Sequence, residues 1–250
     1  IAANVAAFTA KYPSVTNVIG GWTGQLSNSS EDIRLVDKNG NEIDEVEYAD
    51  AGDWAVRREV TDGGEQGWDW VAEHDGGGRS LELINTALPN EFGANWGPST
   101  TVQGTPGAAN SIASTASAPL VSEVIHSPAV PKTGESVFVT ARLTDLEDST
   151  VTGIVRYRVS TANPGAFQDA PMFDDGQHGD GVAGDGLYGA TLPAQTQNLT
   201  VVEFYVFASN NAGLSRTWPG PTTAGGTQGA NLLYQVDNSV YAGDQPIYRI

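Results

Sequence analysis

The residues best suited to chemistry lie in one glycine-rich stretch, Asp174-Asp175-Gly176-Gln177-His178-Gly179-Asp180-Gly181-Val182-Ala183-Gly184-Asp185-Gly186. The carboxylates of Asp174, Asp175, Asp180 and Asp185 fall close together in sequence, and the glycines between them let the backbone fold tightly. Calcium takes roughly six to eight oxygens from carboxylates and carbonyls in flexible geometry. Four neighbouring carboxylates repel one another in a chain of net charge -18, and a divalent cation reverses the sign of that interaction. The stretch is therefore expected to hold Ca2+ through these four aspartates, with backbone carbonyls completing the shell. It is not an EF-hand, because the Asp-x-Asp-x-Asp-Gly order and the terminal Glu are missing. The competing reading is a turn-rich hairpin loop whose aspartates cap their own backbone.

A second candidate is Trp68-Asp69-Trp70. In a strand, alternate side chains share a face, so Trp68 and Trp70 would form a platform for a glycan, with Tyr48 and Trp54 as further aromatics. Core aromatics arrive on a face in the same way. His74, His126 and His178 lie in different segments and are expected at the surface rather than in a zinc triad. No Gly-x-Ser-x-Gly elbow, phosphate loop or His-Glu-x-x-His occurs, so no catalytic residue is expected.

Composition narrows the rest. The chain has 250 residues, 30 acids and 12 bases, which disfavours nucleic acid and anionic membrane surfaces as partners. It has no cysteine, which excludes disulfides and thiol chemistry. No apolar run approaches the length of a transmembrane helix. With 30 glycines, 13 prolines and many short Val/Ile/Thr/Tyr runs, the chain reads as all-β.

The elements that must position the candidate residues are read from pattern. Val5 to Tyr12 is the one short helix, stopped by Pro13. Residues 32–37 and 42–48 alternate around an Asn39-Gly40 turn and make a hairpin, with Ile33, Leu35, Ile43 and Val46 as core positions. Residues 79–84 are a further strand. Ser111 to Pro119, rich in Ala, Ser and Thr, is a linker. Beyond it, strands are expected near 121–126, 136–143, 153–160, 186–192, 200–209 and 231–236. Their spacing without intervening helices predicts an immunoglobulin-like sandwich. Both ends, Ile1-Ala2-Ala3-Asn4 and Pro246 to Ile250, read as cut within apolar alternations, which predicts a fragment of a longer protein.

Residues 24–48, from Gly24-Gln25-Leu26-Ser27-Asn28 through Glu45-Val46-Glu47-Tyr48, resemble the lamin-tail domain family. So do Ser80-Leu81-Glu82-Leu83, Asn95-Trp96 and Gly104-Thr105-Pro106-Gly107 through Asn110, in that order. The family usually has Gly where Ser30 stands before Glu31. The resemblance implies a β-sandwich over residues 1–112, N-terminally incomplete because the family's opening strands are missing. Residues 113–119 then form the linker, and residues 120–238 resemble an immunoglobulin/fibronectin-III-like domain. Such pairs precede spore-coat-protein-H-like kinase domains in secreted bacterial proteins, and residues 239–250 resemble the start of a further linker or domain. The resemblance implies two tandem immunoglobulin-like sandwiches in a secreted or cell-surface protein. The expected role is a non-catalytic structural or adhesive module with a calcium-stabilised loop. Its partners would be other segments of the parent protein, neighbouring copies or surface polysaccharide. The rival is a carbohydrate-binding module serving an attached enzyme, and a hydrolase is a distant third.

Overall fold

The computed structural model describes residues 1–145, 150–222 and 226–240. The expectation for Pro246–Ile250 lies outside them.

The helix α1 spans Val5–Lys11. The Asn4 side chain accepts a hydrogen bond from the Ala7 amide at 2.9 Å, an N-cap, and Pro13 comes two residues after the last turn. From there the described residues are β-strands and loops, with single 3-10 turns at Gly52–Trp54 and Gly93–Asn95.

Strands β1 (Ser30–Val36) and β2 (Glu42–Ala49) pair antiparallel. Their turn is organised by Asp37, whose carboxylate accepts from the amides of Asn39 and Asn41 at 2.7 and 2.9 Å, while Gly40 takes φ of 85°. Strands β3 (Val56–Asp62) and β4 (Glu65–Val71) form a second hairpin, turned by Gly63 and Gly64, both at positive φ. Strands β5 (Leu81–Leu83) and β6 (Trp96–Pro98) make a third pair. The first half thus distributes its strands over three two-stranded sheets.

The hairpin core departs from expectation. Ile33, Leu35 and Ile43 stay exposed, at 44, 58 and 63% of their surface. Ile43 lies three residues from Val46 and five from Tyr48, so strand alternation already sets it on the other face, and it is left unpaired where the register shifts between Leu35 and Val36. Val46 and Tyr48 are half-buried, and with Ile33 they line a pocket that His74 and Trp96 also border. No third strand pairs with this hairpin among the described residues.

The second half is an immunoglobulin-like sandwich. Strands β7 (Leu120–Ser127), β8 (Val137–Thr144) and β11 (Leu187–Leu192) form one sheet in the order β11-β8-β7. The facing sheet has β10 (Gln168–Pro171), β9 (Val151–Val159), β12 (Val201–Asn210) and β13 (Ser215–Trp218) in that order, with β14 (Leu232–Gln235) also paired to β12. Alternation supplies the core: Val137, Val139, Ala141 and Leu143 of β8 meet Val202, Phe204, Val206 and Ala208 of β12. On the other face of β12, Glu203 pairs with Arg158 at 2.7 Å and accepts from Asn231 at 2.6 Å. Those contacts satisfy a carboxylate that is only 8% exposed.

Residues 111–119 contain no helix or strand, but they are held at several points. The Ser114 amide donates to the Ile84 carbonyl at 2.9 Å, and Asn85 Nδ2 donates to Ser117 Oγ at 3.1 Å. From the other half, Asn210 Nδ2 donates to the Ser117 carbonyl and Arg216 Nε to the Pro119 carbonyl, each at 3.0 Å.

Candidate functional site

The loop between β10 and β11 carries the four aspartates, and each side chain is engaged. Asp180 is fully buried. Its carboxylate accepts from the amides of Asp175, Gly176 and His178 at 2.7, 2.7 and 2.8 Å. Burial pushes the Asp180 carboxyl up, but these donors and its own amide together hold it below the ordinary aspartate value. Asp174 closes the far end of the loop, accepting from Gly184 at 2.6 Å, Asp185 at 3.3 Å and Gly186 at 2.9 Å. Asp175 accepts from the Gln177 amide and lies 2.9 Å from His178 Nδ1. Asp185 accepts from the Leu187 amide at 2.9 Å.

The glycines make this possible. Gly176, Gly179, Gly181, Gly184 and Gly186 all sit at positive φ, so successive amides turn inward toward the carboxylates. The arrangement resembles a set of turn caps more than an ion shell. Among the described residues, no three Asp, Glu or His side chains converge to hold a metal.

The three histidines are half-buried rather than solvated. His74 Nε2 meets the Ala49 carbonyl at 3.0 Å, while His126 stacks on Tyr234 with centroids 5.7 Å apart. They occupy separate places, as their sequence positions imply.

The aromatic candidates behave differently from a free platform. Trp68 and Trp70 do share a face of β4, opposite Glu59 and Arg57 of β3. Both remain accessible, at 45 and 42%. That face turns toward the sandwich: a Cβ built on Gly229 would lie 3.1 Å from the Trp68 ring. Trp70 lines a cavity of about 340 Å³ between the halves, together with Asp53, Arg57, Arg216 and Trp218. The Arg57 guanidinium sits 5.3 Å from the Trp70 ring centroid. Burial lowers the pKa of both Arg57 and Arg216, and Asp53 opposes the shift in each. Burial raises the Asp53 carboxyl, against the pull of Arg216, the Trp218 side chain and Arg57.

Sequence reasoning missed Asp53, Arg57, Arg216 and Trp218. Arg57 and Arg216 lie 159 positions apart, and no local spacing links them; the Trp68/Trp70 alternation was the one available signal.

A second carboxylate hub also escaped it. Glu82, 4% exposed, accepts from Thr105 Oγ1 at 2.5 Å, from Ser111 through both its amide and hydroxyl, and from Ser80 Oγ at 3.2 Å.

Residues 128–217 match the family model described as "Conditioned medium factor 2nd Ig-like domain". No curated protein matches the chain.

Proposed function

From the immunoglobulin-like second half as premise, we propose that this chain is a non-catalytic structural or adhesive module of a larger secreted or surface protein. Its first half is proposed to be a lamin-tail-type domain. The observation that carries the reading is the junction. Ser117 and Pro119 take hydrogen bonds from Asn210 and Arg216 of the second half, while Ser117 also holds Asn85 of the first. Such a joint suits a spacer that presents surfaces at a fixed relation. The buried carboxylates support the same reading, because Glu82, Asp180 and Glu203 are spent on structural hydrogen bonds. Immobilised protein is expected to retain polysaccharide-bearing surfaces, or further copies of itself, without altering them. Release of soluble sugar or peptide from the retained material would overturn the reading.

A second reading is saccharide binding in support of an attached enzyme, and it rests on Trp68 and Trp70 sharing one accessible face. Glycan binding that disappears in Trp70→Ala, with an unchanged melt, favours it. Calcium at Asp174, Asp175, Asp180 and Asp185 is likewise a proposal. The number and closeness of the carboxylates support it, and an ion there would have to draw them away from the amides they now cap.

A further inference from the structure

The cavity between the halves concentrates positive charge in a strongly acidic chain. Only 12 of the 250 residues are Lys or Arg, yet two of them, Arg57 and Arg216, line this one space. Neither comes within salt-bridge distance of a carboxylate among the described residues, although the charge of Asp53 acts on both. Arg57 lies against the Trp70 ring, and Arg216 uses Nε on the Pro119 carbonyl. Both guanidinium groups belong to residues that line the cavity, and no further hydrogen bond of either is seen among the described residues. Asp53 is the one carboxylate among the described lining residues, which together carry about one net positive charge. Arg57 and Arg216 are half-buried, and an anion with oxygen acceptors would replace the water they have lost. Guanidinium groups favour carboxylates, which match their planar fork.

The remaining walls indicate what carries the anion. Trp70 and Trp218 line the cavity, and an indole face is a surface against which the C–H face of a sugar ring can lie. The volume, about 340 Å³, falls at the lower end of small-molecule sites. Arg216, Thr217 and Trp218 of the lining belong to β13, which ends its sheet, so an acidic peptide is the competing occupant that the test must include.

We propose that this cleft binds an acidic saccharide of the hexuronate type. Its carboxylate meets Arg57 and Arg216, its ring lies on the indoles of Trp70 and Trp218, and Asp53 accepts from a hydroxyl. The ligand class rests on the saccharide-binding reading above; the charge and aromatic content of the cleft do not.

The test is a titration of the full chain with D-glucuronate, D-glucose, acetate and an acidic tetrapeptide, monitored through indole N–H resonances and by calorimetry. Glucuronate should saturate with a dissociation constant on the order of 1 mM and weaken as salt rises. Arg57→Gln should weaken it at least tenfold while the melting temperature holds, and Arg57→Lys should recover part of the loss. If Arg57→Gln melts early, Arg57→Lys and the wild-type ligand series decide alone. Equal binding of glucose and glucuronate overturns this inference but leaves saccharide binding standing. Binding of the peptide in preference to glucuronate overturns the choice of ligand. No saturable binding of any sugar overturns both.

Discussion

Glu82 holds Ser111 by two bonds at once, accepting its amide at 2.6 Å and its hydroxyl at 2.7 Å. With Thr105 and Ser80 on the same carboxylate, one side chain fastens β5, the turn before residue 107 and the start of the inter-domain segment. Glu82→Ala should therefore destabilise the first half by about 2 kcal/mol or more, since it strands several donors under cover. Denaturant melts read by Trp fluorescence check this. A loss below about 0.5 kcal/mol would show that water replaces the carboxylate freely.

Acid should loosen both halves. Burial pushes Glu82 and Asp180 up, but the hydroxyl and amide donors of Thr105, Ser111 and Ser80, and the amides around Asp180, leave both carboxyls lowered. A lowered folded-state value means stability fully present above the ordinary values of 4.5 and 3.8, and lost as pH falls through the lower, folded-state ones. Thermal melts should be level above about pH 5 and fall on further acidification. In Asp180→Asn the second half's share of that acid dependence should shrink, alongside a lower melting temperature at neutral pH.

Calcium provides a direct contest over the β10–β11 loop. If the ion binds the folded loop alone, stability rises by about 2.7 kcal/mol at a hundredfold excess over its dissociation constant. The second half should then melt higher in calcium than in chelator, and Asp180→Ala should erase the difference. Identical melts would leave the four aspartates as backbone caps.

Gly189 tests how closely that loop is packed. It exchanges two hydrogen bonds with Phe173, at 2.7 and 2.8 Å, and an added Cβ would overlap the His178 carbonyl. Gly189→Ala is expected to cost about 1–3 kcal/mol. Gly165→Ala, with open space around the added carbon, is the matched control and should stay close to wild type.

Local rules carried the sequence reading far in the second half. All six strands expected there occur, because Val137-Val139-Ala141 and similar runs have the period of a half-buried strand. The missed strands β10 and β13 are four residues each, and β6 is three, too short for alternation to register. The β3–β4 hairpin hid behind charge: Arg57, Arg58, Glu59, Asp62 and Glu65 mask its period, although Gly63-Gly64 marks the turn. The aspartate loop was found by its composition, but which N–H each carboxylate caps depends on positive φ at five glycines, and residue spacing does not reveal that. The cavity was illegible for a different reason. Arg57 and Arg216 come to line one cavity only through the way the halves dock, which involves contacts such as Trp68 with Gly229.

The hydrogen bonds along residues 111–119 have a mechanical meaning. Ser117 is gripped from one side by Asn85 and from the other by Asn210, so the connection holds no slack to be drawn out before the folded halves feel a load. Tension applied through the chain would reach Ser114, Ser117 and Pro119 as a row of bonds opened in turn, starting from whichever half is pulled.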